Sequence, residues 1–171
     1  MGKAVPFEVE RMRKDDIEQV LAIERQSFTM PWSRNLFLSE FRSPTVSTLL
    51  IAVPKGESKR TVAGYLVYWL VEDEMHILNL ATAPGFRRQG CAKQLVLAGL
   101  SKAYAAGARR AFLEVRVSNS AAQKLYSALG FRSVHIRREY YDQPVEDAVV
   151  MVLEGQWYRD LALSERVREQ A

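Results

Sequence analysis

Apolar residues recur along the chain with two different spacings, which predict strands in some runs and helices in others. The first run, Phe7–Met12, alternates apolar and polar residues, as a half-buried strand does. The further strands are predicted over Thr48–Pro54, Val62–Val71, Met75–Thr82, Arg110–Val117, Arg132–Tyr141 and Asp147–Glu154, the last two as an antiparallel pair.

Helical spacing begins after Asp15 and Asp16, which provide N-cap chemistry for apolar positions from Ile17 to Phe28. Glycines that follow apolar periodic segments predict where two later helices stop. The later helices are predicted after Ser33 (with Leu36, Phe37 and Phe41), over Lys93–Ala106 before Gly107, and from Asn119 or Ser120 to Leu129 before Gly130.

The order of these elements predicts the fold class. Strand, helix, strand, helix and strand in the second half require a parallel crossover, whereas the hairpins require antiparallel pairs. We therefore expect an α/β protein with a mixed central sheet of about seven strands and helices on both faces. Residues 1–154 are predicted to form a single domain, and residues 155–171 a short helix or a frayed tail.

Composition narrows the class of protein. With 171 residues, 48% of them apolar and a net charge of +4, the chain is typical of one globular domain and not of a disordered protein. No apolar run approaches the ~20 residues that a bilayer requires. The lone Cys91 predicts a reducing, cytoplasmic environment, and His76 and His135 lie too far apart in sequence to suggest a metal site with it.

A candidate anion site lies between the strand that ends at Thr82 and the helix that follows it. The segment Arg87-Arg88-Gln89-Gly90-Cys91-Ala92 combines two guanidinium groups with small residues at a helix N-terminus, where free N–H groups attract negative charge. It matches neither the dinucleotide nor the magnesium-phosphate fingerprint. From the pattern alone, a solvated surface loop is an equally good interpretation.

The same residues carry a family resemblance. Arg87-x-x-Gly90-x-Ala92 resembles the acetyl-CoA motif of the GNAT superfamily of N-acetyltransferases. His76–Thr82 resembles the splayed strand that pairs with pantetheine there, and Leu113–Ala122 with Leu125–Phe131 resembles the next strand and helix. The resemblance implies acetyl-CoA as donor, no metal, and cofactor contacts from Leu80, Ala81, Thr82, Arg87, Arg88, Gln89, Gly90, Cys91, Ala92, Lys93 and Asn119.

Segments at both ends resemble one branch of that superfamily, the bacterial ribosomal-protein-alanine N-acetyltransferases. They are Ile23–Phe28 with Pro31-Trp32-Ser33, and Arg137–Tyr141 with Glu146–Ala148. The similarity extends from about Phe7 to Glu154 and implies acetylation of the N-terminal amine of a small-subunit ribosomal protein. A monomer is favoured, and no nucleic acid or membrane partner is expected.

Glu114 lies in an otherwise apolar strand. Partial burial there is expected to raise its pKa and to make it a better base. Period-two spacing also places it on one face with Phe112 and Arg116, so a simple ion pair with Arg116 is the alternative. The resemblance implies the role of proton acceptor.

Tyr126 falls on the helical stripe formed with Ala122, Leu125 and Leu129, which is typical of a core position. The resemblance implies that its hydroxyl protonates the departing thiolate of coenzyme A. Packing of the ring and exposure of the hydroxyl to the thioester are compatible.

The acceptor site is implied by the resemblance to lie around Trp32, Tyr140 and Tyr141, although each ring could simply finish a core edge. Acidic residues near the tyrosines could attract a basic peptide; they are Glu139, Asp142, Glu146 and Asp147. An α-amine is partly neutral at pH 7 and suits a carboxylate base better than a lysine does.

Three alternatives stay open at this point. The acceptor could be a lysine side chain or a small amine. The chain could also be a non-catalytic acyl-CoA-binding module in which Glu114 and Tyr126 only pack. A nucleic-acid-binding protein fits worst, because the arginines cluster at one turn and no helix presents a basic face.

Overall fold

The computed structural model describes residues 6–170, apart from the side chains of Trp157 and of residues 165–170. Residues 1–5 and Ala171, the ends of the predicted domain and of its predicted extension, lie outside the described residues. The strands are β1 Phe7–Arg11, β2 Ser47–Pro54, β3 Gly64–Val71, β4 Glu74–Thr82, β5 Arg110–Arg116, β6 Arg132–Asp142 and β7 Val145–Glu154. The helices are α1 Ile17–Ser27, α2 Arg34–Phe41, α3 Cys91–Ala105, α4 Ser120–Ala128 and α5 Gly155–Gln170.

The strands form one seven-stranded mixed sheet in the order β1-β2-β3-β4-β5-β7-β6. Strand β4 pairs with β5 in parallel, from Glu74–Arg110 to Ile77–Leu113, whereas β5 and β7 pair antiparallel along the whole of β5. Both strands extend beyond the Ile77–Leu113 pair. The α/β class, the strand number and the parallel crossover predicted from the sequence are confirmed.

The chain divides into two compact units that are described separately. The first comprises the residues up to Tyr68 together with Asn79–Gly99, and the second comprises Trp69–Leu78 together with the residues from Leu100 onward. No described helix is long and apolar enough to cross a membrane.

In the first unit the start of α1 differs in detail from the prediction. Asp16 occupies the N-cap position but makes no side-chain cap bond, because it is the last residue of a 3₁₀ turn and has helical backbone angles. Its buried carboxylate instead accepts hydrogen bonds from Arg13 N (2.7 Å) and from Arg60 Nε (2.7 Å). Burial raises the pKa of Asp16, but these bonds outweigh it and the net pKa is lowered. At α2 the predicted cap is confirmed, since Ser33 Oγ accepts from Leu36 N at 3.2 Å.

In the second unit β5 alternates as predicted, with Leu113 and Val115 buried and Glu114 on the opposite, half-covered face. The residues after Glu154 form a helix and not a frayed tail. Tyr158 of α5 is fully buried, and its hydroxyl donates to Leu100 O at 3.2 Å. One buried aromatic residue with a satisfied hydroxyl fixes this helix in the core of the unit.

Candidate active site

The predicted anion-binding segment forms a turn followed directly by α3. The helix begins at Cys91, two residues earlier than predicted, so Cys91 and Ala92 belong to its first turn. Gln94 N donates to Gly90 O at 3.0 Å. The N–H groups of Cys91, Ala92 and Lys93 come before this bond and have no acceptor within the helix. These donors and the positive end of the helix dipole attract an anion.

The backbone of this turn requires glycine for its conformation. Gly90 has a φ of 85°, and a Cβ built there would have no atom within 4 Å. Its neighbour Arg88 also has positive φ, 62°, which costs a non-glycine residue roughly 1–2 kcal/mol. The open space at Gly90 leaves room for phosphate oxygens to approach the backbone.

Three basic side chains surround the turn. Arg87, Arg88 and Lys93 are all exposed. Arg87 Nε donates to Thr82 O at 3.2 Å, which ties the turn to the end of β4, and Gln89 Nε2 donates to Gly85 O at 2.9 Å. The arrangement is able to bind a polyanion such as the phosphates of coenzyme A, and this assignment stays a prediction.

Cys91 differs from the other predicted cofactor contacts because its side chain is buried. Its thiol packs against Gly64. A Cβ added to Gly64 would lie 2.8 Å from both Cys91 Sγ and Ala81 O. Burial raises the pKa of Cys91 to about 11, so the thiol is protonated at neutral pH. The backbone N–H of Cys91, and not its buried thiol, is therefore the group that can face an anion.

Leu80, Ala81 and Thr82 end β4 in the first unit. Their side chains alternate, with Ala81 buried and Leu80 and Thr82 half-buried. They follow the part of β4 that pairs with β5, which ends at Ile77. The assignment of one of their N–H groups to the oxyanion stays a prediction.

In the second unit Glu114 lies in a cationic environment. Its side chain is only 6% exposed, with Oε2 2.6 Å from His76 Nε2 and Oε1 3.3 Å from Arg137 Nη1. Burial raises the pKa of Glu114, but the hydrogen bond from His76 and the charges of His76 and Arg137 outweigh it and lower the pKa overall. The expected upward shift is therefore wrong, because the sequence does not show which side chains fold against Glu114.

The alternative pairing of Glu114 with Arg116 is not formed. Arg116 Nη1 instead lies 3.2 Å from Glu146 Oε2, and its guanidinium stacks over the Tyr141 ring at 4.1 Å. Glu114 and Arg116 therefore share one face of β5 but have different partners. Those of Glu114 come from β4 and β6, and those of Arg116 come from β6 and β7.

The ring and the hydroxyl of Tyr126 have different surroundings. The residue is 5% exposed, and its ring meets Phe131 edge-on at 5.5 Å between centroids. Its hydroxyl makes no hydrogen bond to another residue in the described part of the chain. Burial, and secondarily Tyr141, raises the pKa of Tyr126 well above its usual value, so the phenol keeps its proton.

Asn119 performs the capping role predicted for it. Its side-chain oxygen accepts from Ala122 N at 3.1 Å and so begins α4, the helix that carries Tyr126. Its side-chain NH₂ group donates no hydrogen bond to the described residues, and its predicted contact with the cofactor stays a prediction.

Tyr140 and Tyr141 meet at 90° with ring centroids 5.1 Å apart. Burial, followed by Tyr140, raises the pKa of Tyr141 to about 12, and Tyr140 is shifted upward as well. The acidic group predicted beside them is largely occupied. Glu146 binds Arg116 and Ser118 N (2.5 Å), and Asp147 binds Arg138 and Glu139 N (2.9 Å).

Trp32, the third predicted acceptor residue, belongs to the first unit and packs against Phe37 at 5.3 Å between ring centroids. Its backbone N–H donates to Glu24 Oε1 at 2.7 Å. Glu24 Oε2 accepts from Asn79 Nδ2 at 3.1 Å and from the Tyr65 hydroxyl. Burial raises the pKa of Glu24, only partly offset by the bonds from Trp32 and Asn79.

Sequence reasoning missed Glu24 and His76 as members of these groups. Each gave a usable signal: Glu24 lies four residues after Val20 on the apolar face of α1, and His76 lies on the half-covered face of β4. A charged residue in such a position needs a buried partner, but the pattern does not reveal which one. The described residues contain no cluster of three His, Cys, Asp or Glu side chains suited to a metal ion.

Comparisons with known proteins identify the family of the chain. Residues 17–131 match the model of the acetyltransferase (GNAT) family. The [ribosomal protein bS18]-alanine N-acetyltransferase of Haemophilus ducreyi (strain 35000HP / ATCC 700724) is 32% identical over 148 residues, 85% of this chain and 98% of its own. A relative from Bacillus subtilis (strain 168), provisionally assigned the same activity, is 37% identical over 143 residues, 84% of this chain and 92% of its own.

Structural comparison gives the same result. The crystal structure of the ribosomal-protein-S18-alanine N-acetyltransferase from Escherichia coli superposes with a TM-score of 0.77 at 29% identity, over 87% of this chain and 94% of that one. The chain therefore belongs to the acetyltransferase (GNAT) family, which confirms the fold, the acetyl-CoA donor and the enzyme class expected from its sequence.

Proposed function

We propose that the protein transfers the acetyl group of acetyl-CoA to the N-terminal α-amine of a small-subunit ribosomal protein that begins with alanine. Relatives at 32% and 37% identity are named for this reaction on ribosomal protein bS18. Such a substrate is made in the cytoplasm, and we place the enzyme there.

The observation that carries the proposal is the contrast between Glu114 and Tyr126 within the second unit. Both side chains are almost fully buried, yet His76 and Arg137 keep Glu114 ionised, whereas burial keeps Tyr126 neutral and its hydroxyl has no hydrogen-bond partner among the described residues. A buried carboxylate and a buried phenol of opposite proton occupancy provide an acceptor and a donor for one reaction.

In the proposed reaction Glu114 accepts one proton and Tyr126 donates one. The α-amine nitrogen attacks the thioester carbonyl, an N–C bond forms, and the C–S bond breaks as coenzyme A leaves. Glu114 accepts the proton that the amine loses, directly or through a water. Tyr126 gives its proton to the departing thiolate. An N–H group of Leu80–Thr82 stabilises the oxyanion.

Acetyl-CoA is held by the turn and by α4 in this proposal. The N–H groups of Gly90–Lys93 and the side chains of Arg87, Arg88 and Lys93 bind the phosphates, and Gln89 lines the turn. Asn119 donates its amide to the pantetheine arm. The fit rests on the open space at Gly90 and on the exposed cations around it.

The lowered pKa of Glu114 favours an α-amine over a lysine. A carboxylate below its usual pKa is a weak base, so it suits an acceptor that is already partly neutral. About a tenth of an α-amine is neutral at pH 7, against well under ~0.1% of a lysine. Trp32, Tyr140 and Tyr141 are proposed to contact the acceptor peptide.

The test is a peptide panel read by mass spectrometry. One peptide begins with alanine from a small-subunit ribosomal protein, a second is identical but acetylated at its N-terminus, and both contain one internal lysine. We expect one acetyl group on the first peptide, at the α-amine, and none on the second. Acetylation of the blocked peptide would instead identify a lysine acetyltransferase.

A non-catalytic acyl-CoA-binding module is distinguished by two measurements on the same protein. Acetyl-CoA at 100 times its Kd should stabilise the fold by about 2.7 kcal/mol, seen as a raised Tm. A raised Tm without acetylation of any amine in the panel would favour the binding module, and no shift would contradict every proposal based on acetyl-CoA.

A further inference from the structure

The His76 ring is fixed by aromatic contacts on the side of the sheet that carries Glu114. It stacks on Phe112, its partner in the β4–β5 register, with ring centroids 4.2 Å apart and planes at 17°. Trp69 of β3 meets it edge-on at 6.4 Å. Held between two aromatic residues, the imidazole has its plane set before any substrate binds, and its Nε2 atom lies 2.6 Å from Glu114 Oε2.

His76 is the more buried of the two partners of Glu114. Glu114 is 6% exposed, against 23% for His76 and 47% for Arg137. Tyr140 and Tyr141 of β6 have raised pKa values and stay neutral. His76 is also the nearer partner, with Nε2 2.6 Å from the carboxylate against 3.3 Å for Arg137 Nη1.

The remaining charged groups nearby are already paired with one another. Glu74, on the same strand as His76, pairs with Arg110 of β5. Arg116, further along β5, pairs with Glu146 of β7. Among these groups, His76 and Arg137 are the ones that contact Glu114.

We propose that His76 is the positioning residue of the proton acceptor: as a neutral ring it donates Nε2–H to Glu114 Oε2 and aims the carboxylate at the acceptor amine. This inference rests on the proposed function, because it takes Glu114 to be the group that accepts the amine proton.

The first test uses NMR of the full-length protein labelled with ¹⁵N-histidine and needs no acceptor. The chain has only two histidines, and the exposed His135 of β6 is the internal reference, assigned with His135→Gln. We expect neutral His76 to carry its proton on Nε2, and Glu114→Ala to yield a mixture of tautomers. A proton on Nδ1 in the wild-type protein would overturn the proposal.

The second test separates the hydrogen bond from the ring with two variants. His76→Phe keeps an aromatic ring on Phe112 but removes the donor, and His76→Gln keeps an amide donor that does not titrate. At pH 8 we expect kcat to fall about tenfold or more in His76→Phe and to stay within about threefold of wild type in His76→Gln. Equal kcat values for His76→Phe and the wild type would overturn the positioning role.

Failure of the proposed function gives a different pattern from failure of this inference. A wild-type protein that acetylates no α-amine but shows the Nε2–H tautomer contradicts the proposed function. An active enzyme whose His76 variants behave like His135→Gln contradicts the role of His76 alone.

Discussion

Glu24 and Glu114 are both buried glutamates, one in each compact unit, and their pKa values shift in opposite directions. Burial raises the pKa of Glu24, and its partners are neutral donors: Trp32 N, Asn79 and Tyr65. Burial acts on Glu114 in the same sense, but His76 and Arg137 reverse the shift. Burial alone therefore does not decide whether a carboxylate is ionised, and the charge of its partners does.

The difference assigns the two carboxylates to different tasks. Glu24 accepts the backbone N–H of Trp32 and links α1 to the segment before α2. Glu114 is contacted by His76 and by the guanidinium of Arg137, which keep it ionised and able to accept a proton. Four experiments test this contrast, from the largest expected effect to the smallest.

Replacing Glu114 with glutamine should have the largest effect, because the amide cannot accept a proton. We expect kcat for an alanine-initiated peptide to fall about 10²–10⁴-fold, with the Kd for acetyl-CoA almost unchanged. Steady-state kinetics and calorimetry measure the two quantities. Glu154→Gln, at an exposed ion pair with Arg132, is the control and should match wild type. A Glu114→Gln enzyme that keeps wild-type kcat would remove the contrast between the two glutamates.

Asn79→Leu removes a neutral donor from Glu24. It leaves a buried carboxylate oxygen with one partner fewer, which costs about 1–3 kcal/mol of the free energy of unfolding. Denaturant titration measures the loss, and Asn35→Leu, at an exposed position of α2, is the matched control. A loss no greater than that of the control would show that Asn79 does not support Glu24.

Arg137→Gln moves Glu114 toward the neutral surroundings of Glu24. Without this guanidinium the pKa of Glu114 should rise. NMR of ¹³C-labelled glutamate should then show that Glu114 becomes protonated at a higher pH than in the wild type. We also expect kcat to change by about threefold to tenfold. Arg138→Gln, which removes the partner of Asp147, is the control. An unchanged Glu114 titration in Arg137→Gln would assign the downward shift to His76 alone.

The pH dependence of stability should have opposite signs at the two sites. The pKa of Glu114 is lower in the folded protein, so its stabilising contribution is present above the unfolded pKa and is lost as pH falls through the folded value. The pKa of Glu24 is higher in the folded protein, so it costs stability at neutral pH and that cost disappears as pH falls.

The measurement is the Tm of the two glutamine variants between pH 4 and 8. Relative to wild type at pH 7, we expect Glu114→Gln to lower Tm by about 2–4 °C and Glu24→Gln to leave it unchanged or raise it, with both differences shrinking toward pH 4. Differences of the same sign at pH 7 would contradict the opposite shifts.

Much of the fold followed from local pattern. The alternation in β5 and the caps at Ser33 and Asn119 depend on residues close together in sequence, and the structure has them as predicted. The sequence also left choices that only distant contacts resolve. Residues after Glu154 form a helix because Tyr158 is buried against α3, and Asp16 does not cap α1 because Arg60 binds its carboxylate.

The candidate site divides in the same way. Its residue types and their order were readable, because the segment Arg87–Ala92 and the strand and helix that follow it form a short, contiguous pattern. The roles of Glu114 and Tyr126 came from resemblance to a family and stay a proposal. The direction of the Glu114 shift was predicted wrongly, because His76 is 38 residues away along the chain and yet 2.6 Å away in the structure.

By itself, then, the sequence determined the elements, the α/β class, the acetyl-CoA motif and the family, since each depends on local periodicity or on short spacing. Tertiary structure alone decided which charges surround each buried carboxylate, that Cys91 turns its thiol into the core, and that Glu146 and Asp147 are occupied by arginines. The physical reason is that a pKa depends on distances of a few ångströms between side chains, and chain folding sets those distances between residues far apart in sequence.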